Sequence, residues 1–597
     1  MSAIINIGGW QAALQKNWGG RIAIAVAVLA VYLPSLHHAF QYDDLHSIVE
    51  NPHLRSLANL DDFFVRPDMF TADPKSAMYR PLVLVSYAFN YAWAEYRVEG
   101  YRCFNILLHL ANCLLVQTLV QRLLGLRLAG LASGLLFALH PIAGEPVNYI
   151  SSRSESLCAF FSLASVLLYV RARERASLSS YWGSVSAFAC ALLAKSVGIV
   201  LPAVFVVREA SAAPLSIKRL LASSKYHLAF WLLGIAYVVS VREALGTALI
   251  DRPVRDFSVQ VFTQAKALVY YMKLLLMPWG QSVEHQFAMA RGVGDAAVLA
   301  ALGLLASCVI FSFFLWRRSG PLFFFCAWPS LFLLPTFIVP LNVLVNEHRL
   351  YIPTIGLASL LGWVLASRLE RRMGVMLLGL LVAAYGGLSL QRSQVWQDSA
   401  TLWADALEKA PLMPRPHLFL GDVYKRQGRN QDAVDSYQRA LTVNPAYLSG
   451  GDLLAIHNNM GAAYLAMQRN DEAMASYRRA LAIDPEYAES RDTLEGLQAL
   501  AEVAWQPEAE KRYKTGLKLM VAGQLARAVS QLQAALLVQS HAKIYQALGL
   551  AYERSGQTAS AVEAYRVILR MPAAHDNLVQ GARQRLQELG AGPVDFD

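Results

Sequence analysis

The sequence predicts an all-α chain in two halves, a polytopic membrane domain followed by a soluble helical solenoid. Hydrophobic residues make up 55% of the 597 residues and charged residues only 16%, against roughly 25% charge in soluble domains. Mean hydropathy is +0.34. Apolar runs of about 20 residues recur from Arg21 to Leu390, each long enough to cross a ~30 Å hydrocarbon core at 1.5 Å per residue. After Gln391 they stop, and the chain becomes amphipathic and rich in Ala, Gln, Glu and Arg. The expected division is therefore 1–392 and 393–597.

The net charge of +10 comes from Arg and Lys at the ends of apolar runs, where cytoplasmic loops carry them, so the membrane accounts for it and no nucleic-acid partner is implied. The first run follows Lys16 and Arg21 and continues to about Ala39, longer than a signal-peptide core, and reads as the first transmembrane helix. All six cysteines fall in expected spans, so no disulfide framework is implied. The absence of any Asn-x-Ser/Thr sequon agrees with a bacterial envelope protein.

Placing basic clusters inside gives a consistent path through spans at about 22–39, 102–124, 129–145, 155–170, 181–194, 196–207, 228–243, 295–316, 322–340, 350–367 and 374–390, eleven in all. Residues 263–277 are apolar but end at Met277-Pro278-Trp279 and read as re-entrant or interfacial. An odd count puts the C-terminal half outside together with the loops at 40–101, 140–154, 242–294 and 341–349, which hold nearly all the informative polar residues. The expected setting is a multi-pass protein of a bacterial inner membrane with its soluble half in the periplasm.

That soluble half is an array. Gly421, Tyr424, Ala433, Tyr437, Ala440 and Pro445 fall at positions 8, 11, 20, 24, 27 and 32 of a 34-residue unit that starts at 414, and Gly461, Tyr464, Ala473, Tyr477, Ala480 and Pro485 repeat them after a six-residue insertion near Leu448–Asp452. This is the tetratricopeptide pattern, in which small residues let two antiparallel helices approach and aromatics fill the gap. Gly549, Tyr552, Ala561 and Tyr565 mark a late unit, Gly516 and Ala528 a degenerate one, and Trp403 and Ala406 a leading helix; about four repeats are expected. Their concave face is either a scaffold or a docking surface for a peptide or protein.

Polar clusters mark where chemistry could sit. Asp43 and Asp44 arrive at the outer interface just after the first span, where an aspartate can take a proton from an alcohol or hold a divalent metal; capping aspartates at a solvated loop are the plain alternative. A metal is compatible with this pair but not required, and His37, His38 and His46 show no zinc spacing. Tyr79 and Arg80 precede an apolar helix, and Arg80 suits a phosphate or a snorkelling role. The stretch from His140 through Glu145, Asn148 and Arg153 to Glu155 is dense in polar groups between two apolar spans, which is costly in lipid unless it lines a wet cavity. Glu347, His348, Arg349 and Tyr351 form a third cluster, with His348 or Arg349 suited to a lipid phosphate and a plain turn between helices as the alternative. An acid and several cations on one face suit an anionic lipid-linked substrate whose leaving group is a phosphate. The sequence has no Walker loop, dinucleotide fingerprint, Gly-x-Ser-x-Gly or CxxC, which argues against a nucleotide-driven transporter, a dehydrogenase or a serine hydrolase.

Tyr42-Asp43-Asp44, Tyr79-Arg80-Pro81-Leu82, Asn105-Ile106-Leu107-Leu108-His109, the His140–Glu155 stretch and Arg349-Leu350-Tyr351-Ile352-Pro353, followed by repeats, together resemble the transmembrane-and-TPR (TMTC-like) O-mannosyltransferases and their bacterial relatives, within the GT-C superfamily. The resemblance covers essentially the whole chain. It implies a polytopic GT-C fold and inverting transfer of a sugar, in the family mannose, from a polyprenyl-phosphate donor to Ser or Thr of a protein docked by the repeats. It further implies that Asp43 or Asp44 is the general base, and that Arg80, His140, Glu145, Arg153 and Arg349 line the donor or acceptor pocket. Family members often carry a second histidine where Ala143 or Gly144 stands here. Two other readings fit the same residues: a non-catalytic repeat protein for envelope or pilus assembly, and a GT-C enzyme that glycosylates a lipid or glycan.

Overall fold

The computed structural model describes residues 18–72, 78–212, 217–242, 255–339, 343–503, 505–571 and 576–591. Parts of the expected exterior loops, 73–77, 243–254 and 341–342, lie outside the described residues, as does the end of the span expected at 228–243. Among the described residues every element is helical. The chain forms two compact units, residues 1–423 with 438–449, and 424–437 with 450–597.

The first unit contains α1 (Trp18–Tyr32), α2 (Pro81–Ala94), α3 (Val98–Leu124), α4 (Arg127–Leu139), α5 (Gly144–Asn148), α6 (Arg153–Arg175), α7 (Leu178–Ala194), α8 (Leu201–Ala212), α9 (Ile217–Ser240), α10 (Phe257–Leu276), α11 (Ala296–Arg318), α12 (Gly320–Leu333), α13 (Pro335–Ile338), α14 (Tyr351–Ser367), α15 (Arg371–Val395) and α16 (Ser399–Lys409), with most of α17 (Pro414–Arg426). Among the described residues, seven stretches are long and apolar enough to cross a membrane: Trp18–His37, Val98–Leu124, Ile150–Arg175, Ala296–Arg318, Gly320–Ile338, Glu347–Ser367 and Arg371–Val395. The pair Arg127–Leu139 and Pro141–Asn148, bent by 52°, makes an eighth if it counts as one broken span. The other expected spans exist as α7, α8 and α9. A 17-residue helix such as α7 is about 26 Å long, short of a full crossing.

The core of this unit is built on close helix approach. A methyl group on Gly362 of α14 would stand 2.7 Å from the Ala129 carbonyl of α4, the kind of contact that small residues permit when no hydrophobic effect drives helices together in lipid. Around it pack Tyr32, Cys113, Leu136, Phe137, Trp328 and Tyr351, all buried.

The second unit is a run of helix pairs. They are the first part of α18 (Asn430–Thr442), α19 (Gly450–Ala466), α20 (Asn470–Ile483), α21 (Ala488–Val503), α22 (Pro507–Val521), α23 (Leu525–Val538), α24 (Ala542–Arg554), α25 (Thr558–Arg570) and α26 (Asp576–Glu588). The small-residue and aromatic positions interlock as their spacing requires. A Cβ on Gly461 would lie 2.8 Å from the Tyr477 ring, and one on Gly549 2.7 Å from the Tyr565 ring. Ala473, Ala480, Ala528 and Ala561 are fully buried at the facing positions.

Candidate functional site

The acid pair lies where the first span ends. Beyond the Leu33–His37 turn the chain runs extended, and then Tyr42 takes a left-handed backbone, φ +51°, an uncommon state for a bulky residue that persists only when its surroundings enforce it. A wide turn over Leu45–Val49 follows, with the Glu50 N–H donating to the Leu45 carbonyl at 2.8 Å; such turns cluster at functional sites.

The two aspartates then diverge. Asp44 is fully buried, accepting hydrogen bonds from the Ser151 N–H and hydroxyl, each at 2.7 Å, and from the Gln41 N–H at 3.1 Å. Burial pushes its carboxyl up to about 6, against the lowering effect of those donors and of Arg102. Asp43 keeps 41% of its side-chain surface open and lies 3.3 Å from His46 Nε2. Burial raises its carboxyl, but hydrogen bonds to His46 and Tyr149 and the charges of His46 and Arg415 outweigh that and hold it below the ordinary range. His46 Nδ1 in turn sits 2.7 Å from the Thr71 hydroxyl.

One short segment connects this pair to the cations. The Asp43 N–H donates to the Tyr149 hydroxyl at 3.2 Å, Asp44 is held by Ser151, and Arg80 donates to the Ser154 hydroxyl at 3.3 Å. Glu155 pairs with Lys195. His348 Nδ1 lies 2.8 Å from Glu145, and its Nε2 lies 3.9 Å from Glu155. Lys195, Arg349 and Arg80 all act electrostatically on His348, so four cationic or protonatable groups gather at one end of Tyr149–Glu155 and the acids at the other. The six steps between those residues span about 9–12 Å at the rises of tight and α-helical turns. Arg349 is steadied by the Val343 and Leu344 carbonyls at 2.8 and 3.1 Å and by the Tyr271 hydroxyl at 3.3 Å, and the Tyr79 hydroxyl donates to the Phe64 carbonyl at 3.1 Å.

Several residues singled out in the sequence lie inside the helix pack instead. The Arg153 guanidinium, fully buried, donates to Asn105, Ser86, Asn90 and the Tyr101 carbonyl at 2.6–3.0 Å. It also lies 4.5 Å from the Phe104 ring centre. His140 is spent on the Leu275 carbonyl at 3.0 Å and on capping Ile142. Asn148 exchanges hydrogen bonds with Gly144 and Ser393, and the Tyr351 hydroxyl meets His109 and Asn112 at 2.8 and 3.1 Å. Glu347 accepts the Ser282 N–H at 2.7 Å and pairs with His285 at 3.1 Å. Arg392 packs on Gly144, its Cγ 3.4 Å from where a Cβ would stand.

Sequence reasoning missed three contributors. Lys195, a lone charge between two apolar helices, carried the usual signal of an intramembrane ionisable group. Arg102 donates to the His38, Ala39 and Asn148 carbonyls at 2.7–2.8 Å, stapling the acid loop to α3. Arg415 donates to the Tyr42 hydroxyl. Among the described residues, no three His, Cys, Asp or Glu side chains come together to hold a metal ion.

Tetratricopeptide-repeat family models match residues 412–486 and 513–576. The chain is 23% identical to the protein O-mannosyl-transferase Tmtc3 of Drosophila melanogaster, over 75% of this chain and 57% of that protein. It is 26% identical to the protein O-mannosyl-transferase TMTC4 of Mus musculus, over 70% of this chain and 66% of that protein. It thus spans about three-fifths of the length of these curated relatives. A crystal structure of a thermophilic TPR protein of Thermus thermophilus covers 36% of this chain and 96% of its own at 19% identity, with a TM-score of 0.13. The similarity to the curated relatives runs over some 70–75% of the chain and the repeats are matched on their own, so the chain is similar to the TMTC-like transmembrane, tetratricopeptide-repeat proteins in both of its parts.

Proposed function

We propose that the chain is a GT-C-type membrane glycosyltransferase that moves a sugar, mannose in its named relatives, from a polyprenyl-phosphate carrier to a Ser or Thr hydroxyl of a protein on the outer, periplasmic or lumenal, face. The observation that carries this reading is the Tyr149–Glu155 segment, which ties an ionised acid to one end and a cationic cluster to the other. A reaction that needs a base at the acceptor and positive charge at a departing phosphate needs that polarity. The names of the similar proteins support the same chemistry.

In this reading Asp43, open and held ionised, takes the proton from the acceptor hydroxyl as its oxygen attacks the anomeric carbon. The bond from that carbon to the phosphate oxygen breaks, the configuration inverts, and the polyprenyl phosphate leaves against Arg80, Lys195, His348 and Arg349. Asp44 is the anchor of the pair, because its lone pairs are occupied by Ser151 and Gln41. Glu145 and Glu155 hold His348 and Lys195 in place, and Glu347 is held by His285 and the Ser282 N–H. His140, Asn148, Arg153 and Tyr351 set the helix spacing without touching the donor, Tyr79 borders the cationic end, and the repeats present the acceptor.

The test is transfer from a synthetic polyprenyl-phosphate mannose to peptide acceptors by the purified full chain in lipid, read by mass spectrometry. Asp43→Asn is expected to lose about 10²–10⁴-fold in rate while the protein still unfolds cooperatively, with at most a small fall in the midpoint from the lost carboxylate contacts. A fully active Asp43→Asn enzyme removes the proposed base.

A further inference from the structure

The loop that carries Asp43 is held from outside the membrane helices. The Ala39 N–H donates to the Gln397 carbonyl at 3.2 Å, and the Gln41 side-chain amide donates to the Trp396 carbonyl. The Tyr42 ring is enclosed by Trp403 of α16, centroid to centroid 5.5 Å, by Phe419 of α17 at 4.8 Å and by Tyr149 at 6.0 Å. Trp403 and Phe419 stack on each other at 4.3 Å, and Arg415, one helical turn from Phe419, donates to the Tyr42 hydroxyl while lying 5.5 Å from the Phe419 ring centre. Arg415 and Phe419, at i and i+4, thus present one face of the first repeat helix to one tyrosine.

That tyrosine is the residue with the left-handed backbone immediately before Asp43. A strained φ in a bulky residue relaxes unless its neighbours fix it. Relaxing it would rotate the following peptide and swing the Asp43 carboxylate away from Tyr149 and His46. The ring cage and the Arg415 hydrogen bond are the contacts that resist this.

We propose that the first repeat helices belong to the transfer apparatus itself: Arg415, with Trp403 and Phe419, acts through Tyr42 as a positioning group that sets the Asp43 carboxylate toward the acceptor hydroxyl. The proposal rests on the reading of Asp43 as the base. It also assigns this face of the first repeat helix to the chain's own active site, leaving acceptor docking to the later repeats.

The experiment compares the full-length wild type with Arg415→Gln, Arg415→Lys and Tyr42→Phe in lipid, using polyprenyl-phosphate mannose and a peptide acceptor, alongside hydrogen exchange of the 40–50 segment. Arg415→Gln is expected to lower kcat at least tenfold, since displacement of a reacting group by about an ångström costs up to ~10²-fold, with donor and peptide KM within about twofold and an unchanged thermal midpoint. Arg415→Lys, which restores one donor and the charge, should recover most of the rate; Tyr42→Phe should resemble Arg415→Gln; and both Arg415→Gln and Tyr42→Phe should speed exchange at 40–50. Unchanged kcat in Arg415→Gln, a loss carried in KM, or a loss that lysine does not repair would overturn the proposal. If the wild type transfers no sugar, the base reading fails, and exchange then decides the clamp separately: faster exchange in Arg415→Gln supports it, unchanged exchange overturns it.

Discussion

Asp44→Asn separates anchor from base and yields a stability change whose sign depends on pH. In the wild type, burial moves the Asp44 carboxyl from 3.8 to about 6, so keeping it ionised in the folded protein at neutral pH costs about 3 kcal/mol. The folded state binds this proton more tightly than the unfolded chain does. This group's contribution therefore falls as pH rises from about 4 to about 6 and is flat above that. Asparagine removes the charge and its cost, and its carbonyl oxygen can still accept from Ser151. Its amide nitrogen then faces the Gln41 N–H, donor against donor, where the wild-type carboxylate accepted at 3.1 Å; this costs about 1–3 kcal/mol. The two effects nearly offset at pH 7.5, so the variant should melt within a few degrees of the wild type there. Near pH 4.5, where folded wild-type Asp44 is protonated and only about 1 kcal/mol of the relief remains, it should be the less stable protein by up to about 2 kcal/mol. Thermal midpoints of both proteins in the same detergent across pH 4.5–7.5 read this directly. A gap between wild type and variant that does not change with pH would refute a buried, proton-binding Asp44.

Three further outcomes follow from the same geometry. Arg153→Met leaves the Asn105, Asn90 and Tyr101 oxygens buried without their donor and should cost about 1–3 kcal/mol for each acceptor left unsatisfied, measured by thermal unfolding of the full chain. Lys195→Met strands Glu155, whose next basic neighbour is the His348 imidazole at 3.9 Å, and should be similarly destabilising; pairing it with Glu155→Leu should restore the midpoint but not sugar transfer, because the proposed countercharge for the leaving phosphate is still missing. Gly461→Val puts a Cβ 2.8 Å from the Tyr477 ring and should cost about 1–3 kcal/mol, seen as a lowered unfolding transition of the repeats by circular dichroism.

The repeat half was legible because its physics is local. Gly461 must sit against Tyr477 for the two helices to touch, so a 34-residue period written in small and aromatic residues already states the packing. The long apolar helices were equally direct, because a candidate crossing is a matter of composition over about 20 residues. Roles inside the polar clusters were not. Arg153 and Arg80 look alike in sequence, each a cation among apolar residues, yet one is walled in by Asn105, Asn90 and two aromatic rings while the other reaches Ser154 beside Lys195. A polar residue that cross-links helices and one that lines a wet cleft obey the same rule, that each must find a partner, and only three-dimensional neighbours tell them apart. Arg415 and Tyr42 are 373 residues apart, and no period or motif connects them. Lys195 was visible only as a break between helices, because its partner Glu155 lies 40 positions away.

The acid pair shows why adjacency in sequence does not mean shared function. Consecutive side chains in a helical turn point about 100° apart, so two neighbouring aspartates at the edge of a membrane domain cannot both face the same cleft. The one turned inward must find donors or stay protonated, and Ser151 and Gln41 are those donors for Asp44. In satisfying it they fix the loop to the segment that also carries Ser154 and Glu155, and so fix the distance from Asp43 to Arg80 and Lys195. A base is useful only if the leaving group it works against is held at a constant separation. In the proposed transfer reaction, the buried aspartate supplies that constancy through hydrogen bonds, while the open one supplies the charge.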